Sequence, residues 1–361
     1  MKNPVFTKVY KNSEVWHQKP HLIFSNFFSI RKLPLFSPPL LCYTVRRHEP
    51  CLGSILPHAI LFSRGLQTGG TYENIDRNRL GCSAGRRRKG CRTGRYVRMQ
   101  AGFDAWDFSM FDMCKYDWSA GCFLPNDNPL ASDNYLAFAR RLKQIGLDNG
   151  ILCNQSHAPF PSRGPIIPYL KRALECTAEA GGKICIIHPD NCLSAQENAE
   201  MYFDLLPFAK ECGVKIATEN MWGWDKEKDQ SSFAACATSA SFNEHLDIVN
   251  DDFFVACLDI GHAEMRGSGE GAANMIRALG NRLQALHIHD NDCWHDSHQI
   301  PFSMSIDFDA VVKALKDINY SGYFTLEASS YLEAFTPETT QKGLCFLAAS
   351  AKRLSDMFEA L

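Results

Sequence analysis

The chain has 361 residues, 45% of them apolar and 22% charged, with a formal net charge of −2 at pH 7. That is enough apolar material for a sizeable core, in one large α/β domain or two smaller ones. No run approaches the roughly 18 uninterrupted apolar residues of a membrane span, so no membrane partner is expected. The near-neutral total hides a strong asymmetry. Residues 1–100 hold 18 Lys+Arg against 4 Asp+Glu, whereas residues 101–361 hold 20 against 36.

Residues 1–60 are rich in Pro, Phe, Arg and His, lack periodicity and carry few acids. They read as a poorly ordered extension, with a basic tail for nucleic acid or targeting as the alternative. ILFSRGLQTGG from Ile60 can supply a first strand. The following run NRLGCSAGRRRKGCRTGRYVRMQ lies where a helix should be, but its Gly and Arg content opposes one.

From Phe103 a unit repeats: a short apolar strand, a polar turn, then a helical stretch. The strands are FDAWDFSMF, GILCNQSHAPF, KICIIHPDN, VKIATENM, FFVACLDIGHAEM, LQALHIHDND and GYFTLEAS. Helical patterns between them include SDNYLAFARRLKQIG, PIIPYLKRALECTAEAGG and SAQENAEMYFDLLPFAKECG. Ser132 and Ser194 are expected N-caps, and the glycines that follow are expected C-caps. The 15 cysteines are scattered, form no CxxC pair, and at Cys153, Cys185 and Cys257 sit inside apolar runs. Thiols there pack as small hydrophobes, which suits a reduced, cytoplasmic protein.

Continuous apolar strands separated by helices imply a parallel sheet covered on both faces. Eight such units over about 300 residues fit a (β/α)8 TIM barrel spanning 61–361. An open doubly wound sheet would call for a Gly-rich phosphate turn after its first strand, and GLQTGGTYENID is not one.

In such a barrel the catalytic groups gather at the carboxyl ends of the strands. Those ends carry His157 (SHAPF), His188 (IIHPDN), Glu219 (ATENM), Asp259 and His262 (LDIGH), His287 (LHIHDND) and Glu327 (TLEAS). The window ALHIHDNDCWHDSH, Ala285 to His298, holds four histidines and three aspartates and adds Asp296 and His298 to the rim. Imidazole together with carboxylate suits a divalent metal ion: Mn²⁺, Mg²⁺, Co²⁺ or Zn²⁺. His287 and His289 face the same way, so either can be the strand ligand. Trp106, Trp222 and Trp224 lie near strand ends, where they either pack on a substrate or anchor loops.

The ordered motifs SHAPF, IIHPD, TEN, LDIGH, LHIHDND with DSH, and SGYFTLE resemble the xylose-isomerase-like TIM-barrel superfamily. It contains sugar and sugar-phosphate isomerases and epimerases together with metal-dependent apurinic endonucleases. The resemblance runs from about Gly65 to Leu361, broken by the Arg-rich run. It implies a principal metal site of Glu219, Asp259, His287 and Glu327, with His287 favoured over His289 by the HxxD spacing to Asp290. His157, His188, His262, Asp296 and His298 match the additional ligands of the trinuclear endonuclease version. PFSMSIDF replaces the Gly-Glu-Gly turn common in the family.

Two chemistries can use this rim. In a sugar isomerase or epimerase, Glu219 and Glu327 exchange a proton beside a carbonyl polarised by the metal, through an enediolate, while His262 and His188 position hydroxyls. In an apurinic endonuclease the same ligands hold three zinc ions. Duplex DNA calls for Lys and Arg, yet residues 101–361 are acidic, and the loop after SHAPF lacks the endonuclease continuation. The expected partner is therefore a small sugar rather than nucleic acid. A homo-oligomer is compatible with the sequence, and a non-catalytic metal-binding barrel is the third reading.

Overall fold

The computed structural model describes the backbone of Ile60–Gly65 and residues 101–361 apart from Pro337. The expectations for residues 1–59 and for the Arg-rich run fall outside these residues. Eight strands form one sheet: β1 (Ile60–Gly65), β2 (Ala105–Ser109), β3 (Leu152–His157), β4 (Ile184–Ile186), β5 (Lys215–Glu219), β6 (Phe254–Asp259), β7 (Leu283–His287) and β8 (Tyr323–Leu326). Sequence neighbours pair from β1 through β7, and β2 to β7 are parallel. The ring closes where the Ile288 N–H donates to Thr325 O at 2.9 Å and the Glu327 N–H donates to Ile288 O at 2.9 Å.

Between β2 and β8 stands β1, antiparallel to both, with Phe62 opposite Trp106 on one side and Leu326 on the other. The eighth strand is thus present but runs against the other seven. The two-residue repeat that marks a strand reads the same in both directions, so it carries no sign of orientation.

Helices α1 (Tyr135–Asp148), α2 (Ile167–Ala180), α3 (Ala195–Cys212), α4 (Ser239–Val249), the short α5 (Ile260–Glu264), α6 (Ala272–Leu279), α7 (Phe308–Asp317) and α8 (Thr340–Ala360) follow the strands. Alternation along each strand splits the core in two. Trp106, Phe108, Ile216, Leu258, Leu286 and Phe324 turn outward against helix residues such as Leu170, Leu174 and Tyr202. Ile186, Ala217, Val255, Cys257 and Ala285 fill the inside of the ring. Two residues further along those strands come His188, Glu219, Cys257 (after Val255), Asp259 and His287, so the rim groups share the inner face.

Ser194 caps α3 with a full capping box to Glu197, and Gly213 ends the helix in the left-handed region at φ 64°. Ser132 behaves differently from expectation. Its hydroxyl donates to Pro129 O at 2.7 Å and closes a 3-10 turn, and α1 begins after Asn134. The Pro-Leu-Ala turn ahead of it competes for that side chain. Among the described residues no helix is long and apolar enough to cross a membrane, and the described cysteines are all free thiols.

Candidate metal centre

β3, β5, β6 and β7 end on His157, Glu219, Asp259 and His287, and Glu327 directly follows β8. Glu219 stands at the centre. Its Oε1 lies 2.9 Å from His287 Nδ1, and its Oε2 lies 3.0 Å from His188 Nε2 and 3.5 Å from His157 Nε2. Glu327 Oε2 reaches the same His287 Nδ1 at 3.2 Å. Glu219, Asp259, His287 and Glu327 offer one ligand atom each within 4.8 Å of one another, as do His157, Glu219 and His287.

A second set gathers beside the first: His262, His289, Asp296 and His298. Asp296 Oδ1 lies 3.4 Å from His262 Nε2 and 3.3 Å from His289 Nε2, and its Oδ2 lies 3.1 Å from His298 Nε2. Asp259 links the sets, with Oδ1 3.2 Å from His289 Nε2. The two strand histidines therefore divide between the sets, His287 in the first and His289 in the second. His262 is placed by α5, whose N-cap is Asp259: the Asp259 carboxylate accepts the His262 backbone N–H at 2.7 Å. Asn220 brackets Asp259 in turn, accepting its N–H at 2.7 Å and donating to its carbonyl at 2.9 Å.

The rings are oriented from behind. His157, His262, His289 and His298 set Nδ1 against the carbonyls of Ala158, Asn220, Asp290 and Glu327, at 3.0, 2.9, 3.4 and 2.6 Å. A proton assigned to each Nδ1 leaves each Nε2 lone pair facing the carboxylates. Asp259 Oδ2, Asp296 Oδ1 and His289 Nε2 are buried without a hydrogen-bond partner. Buried acceptors that converge without donors are costly, and a cation is the partner that satisfies several at once. The donor set fits a divalent metal.

Without a cation the charges settle on one another. Burial would raise Glu219, but His287, His157 and His188 hold it well below the ordinary carboxylate range. Burial opposes Asp259 too, yet His262 and His289 bring it to about 2. Burial would lower His298, but Asp296 takes it to about 10. Burial and the nearby His157 push His188 down to about 4. Glu327 moves the other way from Glu219, raised chiefly by its own burial.

Of the three tryptophans, Trp222 donates Nε1–H to Asp296 Oδ2 at 3.2 Å, and Trp224 stacks on His295 with ring centroids 5.8 Å apart. Trp106 is not at the rim. It is 3% exposed and faces outward, where its indole nitrogen lies close to Gly146 of α1. The neighbouring Asp107 takes the inner face, so strand alternation sends Trp106 to the helices. Three contributors went unread in the sequence. Phe111 and Phe160 wall the histidines, with centroids 4.4 Å from His157 and 5.1 Å from His188 respectively. Asp107, an acid in the middle of the apolar run AWDFS, is the third. Asp290 belongs to the loop rather than to either set. Its carboxylate accepts the N–H groups of Asn291, Ser303, Met304, Ser305 and Ile306 at 2.8–3.1 Å and so holds the PFSMSIDF segment.

Residues 99–350 match the family described as the xylose isomerase-like TIM barrel. An uncharacterized protein, y4fM, of Sinorhizobium fredii is 28% identical over 165 residues, 43% of this chain and 50% of that protein. An uncharacterized protein of Methanocaldococcus jannaschii, MJ1311, is 24% identical over 199 residues, 49% of this chain and 65% of that protein. The chain thus spans between half and two thirds of the length of these relatives. Among solved structures, an L-ribulose 3-epimerase superposes with TM-score 0.51 at 16% identity, covering 72% of this chain and 86% of its own. A D-psicose 3-epimerase in the presence of D-fructose gives 0.51 at 13%, covering 72% and 92%. Likeness at these identities is likeness of fold.

Proposed function

We propose, for a chain that belongs to the xylose isomerase-like TIM barrel family, a metal-dependent sugar isomerase or epimerase that moves a proton on the carbon beside a carbonyl. The observation that carries this reading is the pair Glu219 and Glu327. They come from different strands onto one imidazole nitrogen, His287 Nδ1, at 2.9 and 3.2 Å. Two carboxyls brought to one site from different strands are suited to be the base and the acid of one proton transfer. A divalent cation held by Glu219, Asp259, His287 and Glu327 would supply Lewis-acid polarisation of the carbonyl. One of Glu219 and Glu327 takes the proton, and the other returns one from its own side of the ring. In this reading His188, on Glu219 Oε2 at 3.0 Å, and His262, beside Asp296, hold substrate hydroxyls. Phe160 packs on His188 and Trp222 donates to Asp296, so both stand beside the two donor sets.

One observation favours a second reading, a zinc-dependent phosphodiesterase of the apurinic-endonuclease kind: the second donor set next to the first, linked by Asp259. The acidity of residues 101–361, 36 Asp+Glu against 20 Lys+Arg, weighs against duplex DNA as the partner. The two readings separate in one experiment. Incubated in D₂O with a panel of ketoses, the protein should place deuterium on the carbon beside the carbonyl. Glu219→Gln and Glu327→Gln should each lose turnover by roughly 10²–10⁴-fold or more, the usual contribution of general-base catalysis. No deuterium in any sugar, with cleavage at abasic sites in duplex DNA, would replace the first reading by the second. Silence in both assays would leave a barrel that binds metal without catalysis.

A further inference from the structure

His287 is turned the opposite way from the four histidines anchored on backbone carbonyls. Its Nδ1 faces Glu219 and Glu327, so its Nε2 points down into the barrel, where it has no hydrogen-bond partner. Asp107 Oδ2 lies 3.5 Å from it, and the Cys257 thiol also stands beside the ring. Asp107 and His287 are 0% exposed, and neither carboxylate oxygen of Asp107 has a hydrogen-bond partner of its own. Asp107 lies in mid-β2, opposite Gln155 of β3 in the register, with the core residues Trp106 and Phe108 on the other face of the strand. A carboxylate buried without donors is strongly disfavoured unless a cationic or N–H partner faces it. The His287 ring is such a partner, and closing the gap by a few tenths of an ångström makes a normal charge-assisted hydrogen bond.

We propose that Asp107 is the positioning residue of His287, accepting the Nε2 proton so that Nδ1 is kept as the ligand atom. Where the other rings rest on neutral carbonyls, this one rests on a charge, which makes His287 the more basic ligand and fixes its plane. The inference rests on the reading above that Glu219, Asp259, His287 and Glu327 hold a divalent cation.

The test uses the full chain, stripped with chelator, and Mn²⁺ as the probe. Its dissociation constant is measured for the wild type, Asp107→Asn, Asp107→Ala and a control, Thr325→Val, which alters another buried polar side chain inside the ring. Loss of such a supporting partner typically weakens metal binding by roughly 10–100-fold. Both Asp107 variants should show that loss, with Thr325→Val unchanged and the metal-free Asn variant melting within a few degrees of the wild type. In the Zn²⁺-loaded protein, ¹⁵N spectra of labelled imidazoles should show the His287 Nε2–H signal shifted by Asp107→Asn and those of His262 and His298 unmoved. Dissociation constants within twofold of the wild type for both Asp107 variants would overturn the proposal and leave the ligand set standing. Equal weakening in Thr325→Val would mark general loosening of the interior and overturn it too. A wild type that binds no Mn²⁺ would overturn both the inference and the functional reading beneath it.

Discussion

His287 and His289 are two residues apart on one strand face, yet each serves a different set of ligands. His287 meets Glu219 and Glu327, and His289 meets Asp259 and Asp296. A site that loses one of four protein ligands rarely keeps its geometry. His287→Ala is therefore expected to remove the ion of the first set, and His289→Ala to spare it. Elemental analysis of the purified variants reads the outcome. Equal loss from both variants would mean that the two sets hold a single ion between them. Asp259→Ala should be the most damaging of the single changes. Its carboxylate faces both sets and caps α5, so its loss is expected to empty the first set and to unseat His262 as well.

At the scale of the element, α5 is the short helix that converts a strand end into a ligand. Asp259 ends β6, caps α5 and thereby sets His262 against Asp296, while Gly261 lets the His289 ring pass against the helix. A Cβ at Gly261 would overlap that ring. Overpacking of this kind typically costs about 1–3 kcal/mol. Gly261→Ala should lower the melting temperature and shift the His289 imidazole ¹⁵N signals, while the first set stays loaded. A variant that melts lower with the His289 signals unmoved would show that the helix gives way and not the imidazole. The same element explains why the motif LDIGH reads as a unit. Its Asp caps the backbone of its His three residues on, and its Gly makes room for the His289 ring.

For the whole molecule, the ring depends on β1 lying between β2 and β8. A strand running antiparallel satisfies the ladders on both sides as well as a parallel one, so closure does not require the orientation the other seven share. A chain beginning at Ile60 is expected to keep its fold and its metal. A chain beginning after Gly65 exposes the edges of β2 and β8, and exposed edges are templates for association. Light scattering and thermal melts of the two truncations check this. A monodisperse, metal-loaded protein lacking residues 1–65 would show that β1 is dispensable.

The order of strands and helices, and the rim positions of His157, Glu219, Asp259, His287 and Glu327, were legible in the chain itself. Both follow from local rules: apolar periodicity, and the habit of barrels to carry chemistry at the carboxyl ends of strands. The direction of β1 was not legible, because a two-residue repeat has no polarity. The face of Trp106 and the separate duties of His287 and His289 were not either, since they depend on which neighbours stand across the barrel. Asp107 left a trace, an acid inside AWDFS, but an unpaired charge in a strand has no meaning until its partner is known. That partner, His287, is 180 positions away in sequence and 3.5 Å away in space. Periodicity acts between neighbours along the chain, whereas ligand sets and proton partners are made by closure of the ring, and only the tertiary structure brings those residues together.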